Sequence, residues 1–349
     1  MNSAMQQIVR FSVASFCLTA IIACSESDDS DTVASNSEAG AAAEQSSAMP
    51  TAVAINEANT DESFVYEADR FADIRVLRYQ VPGFDSLTAQ QKELLYYLSQ
   101  AALSGRDIMY DQNYKHNLRI RRTIEEVIKH YPGDRTDQGF DHFTTYAKQM
   151  WFANGIHHHY SGAKFTPLFD EQYFAELITA SASLASYPLR EGQNIEQLIA
   201  ELTPILFDPL LDAKKVNTAA GVDKVVTSAV NFYEGVTEAE VLAYYAAKTD
   251  SSDTTPISYG LNSKLVKIDG ELIEQVWKIG GMYGEALEQV AYWMGKAAAV
   301  AENDKQRKIF ELLIQYYNSG DLEDFDAYNM AWVGDTESAI DVINGFIEV

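Results

Sequence analysis

From about Ser63 onward the apolar residues recur mostly at the three-to-four spacing of an amphipathic helix, and capping residues mark where the runs begin. Thr88-Ala89-Gln90-Gln91 is a capping box. It opens a helix whose apolar face is Leu94, Leu95, Leu98, Ala101 and Ala102, with Gly105 closing it. A second helix is predicted from about Asn117 to His130, with Ile120, Ile124, Val127 and Ile128 as its stripe and Pro132-Gly133 as its stop. A third, from Asp137 to Phe152, should bury Phe140, Phe143, Tyr146, Ala147 and Met150 and leave through a left-handed Asn154-Gly155. Further helices are predicted at Asp170 to Ala185, Asn194 to Leu202, Thr237 to Lys248, Tyr283 to Ala301, Asp304 to Tyr317 and Asp321 to Trp332. Strand signals are few: Ile74 to Tyr79, Gly221 to Phe232, and Leu265 to Ile268 ahead of Asp269-Gly270. The pattern predicts a mainly α protein with a small β component, an α+β chain.

The first 62 residues break that pattern. Arg10 followed by an apolar run from Phe11 to Ala23 reads as an export signal over 1–23, too short for a permanent membrane helix. Ile21-Ile22-Ala23-Cys24 is similar to a bacterial lipobox, so Cys24 is the expected lipidation site; an ordinary secretory cleavage nearby is the alternative. Ser25 after the cysteine favours the outer membrane, facing the periplasm. Residues 24–62 then carry nine acids from Ser25 to Glu62 and no Lys or Arg, a composition expected to stay disordered as a tether. The only cysteines are Cys17 and Cys24, so a chain beginning at Cys24 has no pair to oxidise, and its stability must come from a packed core.

The formal charge of the whole chain is -25. Without the acidic tether and Arg10, about 42 acids face about 25 bases, a surface that repels nucleic acid and anionic lipid. At the other end the chain stops inside the apolar stretch Ala339 to Val349, which leads us to expect further sequence or a partner there.

Several segments, in order, resemble one family. They are Arg70-Phe71-Ala72-Asp73-Ile74-Arg75-Val76-Leu77-Arg78-Tyr79, Val81-Pro82-Gly83-Phe84, Leu94-Leu95-Tyr96-Tyr97-Leu98, Gly105-Arg106-Asp107-Ile108, Asp111-Gln112-Asn113 and Asn117-Leu118-Arg119-Ile120-Arg121. Asn154-Gly155-Ile156-His157-His158-His159-Tyr160, Ser258-Tyr259-Gly260-Leu261-Asn262-Ser263-Lys264-Leu265 and Ile343-Asn344-Gly345-Phe346-Ile347-Glu348 continue the series. Together they are similar to the N-terminal part of the dipeptidyl peptidase III family, in the wording of its bacterial branch.

The resemblance implies a zinc exopeptidase that removes dipeptides from the N-terminus of short peptides in a cleft between two lobes. Residues 63–349 would then be most of the lower, substrate-holding lobe. The family's His-Glu-x-x-Gly-His motif and its later glutamate ligand would lie beyond Val349 in a missing zinc lobe. None of His116, His130, His142, His157, His158 or His159 is followed by Glu. No catalytic or metal residue is therefore expected here, and zinc is a cofactor of the full-length family. The resemblance also implies that His159 and Tyr160 line the peptide cleft and that Asp341 receives the free amine of the substrate.

The remaining residues favour plainer roles. Three adjacent imidazoles do not converge on one ion, which argues against a metal at His157 to His159. Arg106, Arg119, Arg121 and Arg122 should pair with neighbouring acids, and Trp277, Trp293 and Trp332 should pack on apolar helical stripes. Gly280-Gly281 and Gly284 follow no strand signal, and no Gly-x-Ser-x-Gly elbow is present. Two functions survive: the N-terminal portion of a zinc dipeptidyl peptidase, inactive alone, or a metal-free peptide-binding lipoprotein.

Overall fold

In the computed structural model the described residues are 64–344. The export signal, Cys24, the tether and the last five residues lie outside them. Val65–Val349 forms one unit. It is built mainly of helices, and side chains start most of them as the sequence predicts. Thr88 caps α1 (Ala89–Ser104) through a complete capping box. After α2 (Arg106–Asn113) and α3 (Asn117–His130), Asp137 accepts the Phe140 amide to open α4 (Gln138–Phe152). Asp170 and Asn194 do the same for α5 (Glu171–Ser181) and α6 (Ile195–Phe207). Thr237 caps α7 (Glu238–Ala246) with a second complete box. Left-handed Tyr283 precedes α8 (Gly284–Ala299), Asn303 caps α9 (Asp304–Ser319), and Asp321 caps α10 (Leu322–Val333).

The strands form two small sheets. β1 (Glu67–Phe71) and β2 (Ile74–Leu77) pair antiparallel, with Phe71 opposite Ile74. β3 (Tyr233–Glu234) runs parallel to β4 (Ser263–Ile268), which turns through left-handed Asp269 and Gly270 into antiparallel β5 (Glu271–Val276). The order β3-β4-β5 leaves β3 at an edge.

Two hydrophobic cores hold the helices. The first gathers Ile120, Ile124 and Val127 of α3, Phe143 and Met150 of α4, Phe174 and Leu177 of α5, and Leu198 and Leu202 of α6. The second gathers Leu94 and Leu98 of α1, Val290 and Met294 of α8, Phe310 and Leu313 of α9, and Tyr328 of α10. Here α1 lies along α8, and α9 packs on both α8 and α10. Burying each large side chain contributes about 1.5–3 kcal/mol, so these stripes stabilise the helices far more than intrinsic propensity does. Val236, Val241 and Leu265 form a smaller cluster between α7 and the β4–β5 hairpin.

A carboxylate ties distant segments together. Asp111 on α2 accepts from Asn231 Nδ2 at 2.9 Å, just ahead of β3, and from the Tyr283 hydroxyl at 2.7 Å, at the start of α8. Three of the four arginines pair as expected: Arg121 with Asp107 at 2.7 Å and Glu125 at 3.1 Å, Arg122 with Asp107 at 3.5 Å, and Arg119 with Glu201 at 3.3 Å. Among the described residues no helix is long and apolar enough to cross a membrane.

Several sequence expectations are corrected. Gly221 to Phe232 does not form a strand, because local bonds hold it in turns. Asp223 Oδ1 accepts the amides of Val225 and Val226, and the Thr227 and Ser228 hydroxyls donate to carbonyls four residues back. α6 runs five residues past its expected end and through Pro204, since Ile205 and Leu206 gain burial in the first core that outweighs one lost backbone bond. The α2 helix was not foreseen. Trp277 is buried but follows β5 instead of lying on a helix, and Trp293 and Trp332 are only partly buried. Gly280-Gly281 does follow a strand, β5. Its loop amides close on the loop's own carbonyls, Gly281 N to Lys278 O at 2.9 Å and Met282 N to Val276 O at 3.1 Å, so they are not free to cradle a phosphate.

Candidate functional site

The Asn154–Phe165 segment is shaped from its first residues by α3. Asn154 is left-handed, with φ 51°, and Gly155 follows with φ 151°. A side chain at Gly155 would collide with Asn117, whose Nδ2 would sit 2.1 Å from the added Cβ. Asn117 is fully buried and bonds in both directions: its Nδ2 donates to the Tyr110 carbonyl at 3.0 Å and its Oδ1 accepts from the Ile156 amide at 3.1 Å. One amide side chain thus seats the chain's exit from α4 against the end of α2.

Beyond this point three irregular segments lie side by side. His157 pairs with Lys164 across a tight loop, and Ala163 pairs with Lys214. Lys215 donates its amide to Gly162 O at 2.7 Å, while Ala229 and Val230 donate theirs to Lys214 O and Lys215 O at 3.0 and 3.1 Å. The last segment continues directly into β3. Lys164 fixes the layer from below, its ammonium donating to the carbonyls of Ile205 at 3.0 Å, Leu211 at 2.5 Å and Asp208, at the negative end of the α6 dipole.

A cleft of about 390 Å³ opens between these segments and β3, lined by Tyr114, Lys115, Asp212, Val230, Tyr233 and Glu234 among others. The Tyr114 hydroxyl donates to Asp212 Oδ2 at 2.6 Å, and burial together with that carboxylate raises the phenol well above its usual range. Glu234 is bonded to Lys264 and lies 3.8 Å from Lys115. The Lys264 bond holds the Glu234 carboxyl below its ordinary range, so it stays ionised at neutral pH. The cleft therefore offers a cation, two carboxylates, aromatic rings and the exposed edge of a strand. That set suits an extended polar chain more than a compact apolar ligand.

The three adjacent histidines take separate partners. His157 is buried; its Nε2 lies 2.7 Å from the Asp212 carbonyl, which requires the proton on Nε2. Burial pushes its pKa down to about 4, so the ring is neutral. His158 Nδ1 accepts the amides of Tyr160 and Ser161 at 3.2 and 3.1 Å, and its Nε2 points to Asp73 at 3.5 Å. His159 stacks on His158 with ring centres 4.4 Å apart and meets Phe152 edge-on at 4.9 Å. His157 and His158 thus point their nitrogens at separate partners. Among the described residues no three His, Cys, Asp or Glu side chains converge as metal ligands. The residues present do not fit the zinc that the sequence resemblance implies for its family. Beside the triplet, Lys215 is buried and its Nζ has no hydrogen-bond partner, as have His157 Nδ1 and His159 Nδ1.

The residues singled out in the sequence fall in two places. His159 and Tyr160 are together on the 157–164 loop, with ring centres 4.3 Å apart and Tyr160 87% exposed, beside the cleft and not among the residues lining it. Asp341 belongs to the second core's edge, where its Oδ1 accepts the Trp332 indole at 2.8 Å and the Val342 amide at 2.7 Å. Tyr114, Lys115, Asp212 and Glu234 were not foreseen. No local signal marks them, because they come from three separate segments and β3 is only two residues long.

With the geometry in hand, the chain can be set beside known proteins. Residues 234–349 match the profile of Peptidase family M49, beginning at the cleft residue Glu234. This bears out the resemblance to the dipeptidyl peptidase III family over that segment. Among solved structures the chain is similar to dipeptidyl peptidase III from Caldithrix abyssi, at 16% identity over 73% of this chain and 35% of that one, with a TM-score of 0.43. It is also similar to dipeptidyl-peptidase III from Corallococcus sp. strain EGB, at 16% identity over 75% of this chain and 35% of that one, with a TM-score of 0.41. The chain thus spans about a third of the length of these structures. No curated protein matches it.

Proposed function

We propose that this chain is the substrate-holding, N-terminal portion of a zinc-dependent dipeptidyl peptidase III-like exopeptidase that releases dipeptides from the N-terminus of oligopeptides. The observation that carries the reading is the family match over residues 234–349, a segment that includes the cleft residue Glu234 and the strands β4 and β5. An extended peptide would add to the free edge of β3 by backbone hydrogen bonds, with Lys115 and Glu234 beside it as charged contacts. His159 and Tyr160 would present ring faces to the peptide from the neighbouring loop. Asp341 keeps Oδ2 outside its bonds to Trp332 and Val342, and that oxygen would accept a free amine.

Zinc, supplied in this family by a His-Glu-x-x-Gly-His lobe, would activate a water and polarise the scissile carbonyl. None of that chemistry is assigned to residues of this chain. Lipid attachment at Cys24, with 24–62 as a tether at the outer membrane, belongs to the same reading and is tested by loss of membrane fractionation in Cys24→Ala.

Calorimetric titration with an unblocked tetrapeptide should show binding to this chain that weakens on N-acetylation of the peptide. No binding overturns the reading. The chain alone should release no dipeptide from a chromogenic substrate with or without zinc, and chelator-sensitive release would refute the division of labour. DNA beyond codon 349 should encode the zinc motif in some frame. If it encodes an unrelated continuation, the metal-free peptide-binding lipoprotein becomes the better reading.

A further inference from the structure

The C-terminal end of α7 carries an arrangement that the cleft does not use. Lys248 extends its ammonium over the Tyr244 ring at 4.5 Å from the centroid, and lies 5.8 Å from the Tyr259 centroid and 5.9 Å from that of Tyr245. The same ammonium bonds Glu274 of β5. Tyr244 and Tyr245 stand edge to face at 5.1 Å, and a Cβ on Gly260 would come within 2.7 Å of the Tyr245 ring, so the ring is held closely from that side. Glu274 is in turn bonded by the Ser263 hydroxyl at 2.6 Å and the Tyr245 hydroxyl at 3.1 Å. Three phenol rings and a fixed carboxylate around one nitrogen are the components that recognise an organic ammonium.

The occupant is more exposed than the carboxylate that holds it. The Glu274 side chain is 16% exposed and that of Lys248 34%, and Lys248 is followed by the exposed stretch 250–256. Glu274 is thus anchored on a sheet and the Tyr244 and Tyr245 rings on the last turn of α7, while the cation comes from just beyond that turn, beside a loop. Burial works to raise the Glu274 carboxyl, and Lys248, Ser263 and Tyr245 together more than offset it, leaving it ionised. Glu274 also lines an open cavity of about 560 Å³ with Val276, Lys278 and Met282.

We infer that Tyr244, Tyr245, Tyr259 and Glu274 form an ammonium-binding cage that Lys248 fills in the free chain and that accepts a primary alkylammonium from a peptide when Lys248 withdraws. Lys248 then acts as a tethered competitor, whose high local concentration keeps outside amines weakly bound until they are abundant or until Lys248 loses its charge. The inference rests on this cage alone and not on the cleft at β3.

The test uses n-butylammonium as the probe, titrated into the full chain and into Lys248→Met, which keeps an apolar stem against the rings. The variant should bind at least about tenfold more tightly than wild type, and Glu274→Gln added to it should remove that gain. Equal affinity in wild type and Lys248→Met overturns the inference. A second measurement needs no variant: by NMR, the hydrogen-exchange rate of the Lys248 ammonium should rise several-fold with rising n-butylammonium. An unchanged rate also overturns it. Two peptides distinguish the source of the amine, one N-acetylated with an internal lysine and one with a free N-terminus and no lysine. Failure here leaves the tetrapeptide titration of the β3 cleft unaffected, so the two readings fail separately.

Discussion

The two cores bury similar side chains and differ in what else they enclose. The second is helix against helix, α1, α8, α9 and α10, and the buried polar side chains at it are Gln306, which donates to Ile340 O at 2.7 Å, and Asn262, which donates to Gly320 O at 2.9 Å. The first encloses the ends of irregular segments, and the buried polar groups in and around it include Gln112, Asn117, Thr123, His157, Ser181 and Lys215. Helices satisfy their own backbone, so a helical core can be nearly all apolar. Irregular segments leave amides and carbonyls that side chains must meet, because an unpaired buried group costs about 1–3 kcal/mol. The cleft lies on the side that carries this cost. A binding surface requires backbone that is not already closed into helices.

The largest effects should be equal on the two sides. Phe174→Ala in the first core and Phe310→Ala in the second each empty a fully packed position and should cost about 3–5 kcal/mol, measured by urea unfolding. A markedly smaller loss at Phe174 would show that the first core is loosely packed.

Acid should separate the regions. His157 has a pKa near 4 in the fold against about 6.5 when unfolded. Its contribution is complete above pH 6.5, falls as the unfolded state takes up its proton, and is gone below about pH 4, a loss of up to roughly 3 kcal/mol. His157→Gln should flatten that part of the stability curve between pH 6.5 and 4. Parallel curves for wild type and variant would show that the ring is not held neutral.

Asn117→Ala leaves the Ile156 amide and the Tyr110 carbonyl without this partner and should cost about 2–3 kcal/mol by thermal unfolding. It should also weaken peptide binding, since the 157–164 loop starts there. Phe310→Ala, when folded, should weaken binding less, since the second core borders only the Asp341 contact, and equal loss of binding in both would erase the functional distinction between the cores. Smallest of all, Tyr160→Ala should change stability by less than about 0.5 kcal/mol, because that ring is almost fully exposed. A reduced peptide affinity in Tyr160→Ala would place the ring at the ligand, and an unchanged one would confine the ligand to the cleft at β3.

The second core was legible because its signals are local. Leu94, Leu98 and Ala101 repeat at helical spacing behind the Thr88 box, and both the buried face and the cap are found where the sequence places them. The first core's helices were legible in the same way, down to Phe140, Phe143, Tyr146, Ala147 and Met150 on α4. The strands were read less well. β4 was marked by its apolar run and the Asp269-Gly270 turn, whereas Gly221 to Phe232 has an apolar, β-branched pattern that local Asp, Ser and Thr bonds override. At the site, the histidine triplet was legible as a cluster, but the distant partners of His157 and His158, Asp212 and Asp73, carry no local mark.

The sequence by itself determined most of the helices, their caps and the family resemblance, because caps and stripes act within a few turns of the backbone. The tertiary structure decided the cleft and the ammonium cage. Tyr114 reaches Asp212 across 98 positions, Asp111 reaches Tyr283 across 172, and Lys248 reaches Glu274 across 26. Such meetings depend on how whole elements pack. That packing is set by the summed burial of many side chains, so no residue at the cleft or the cage carries a local mark of its partner.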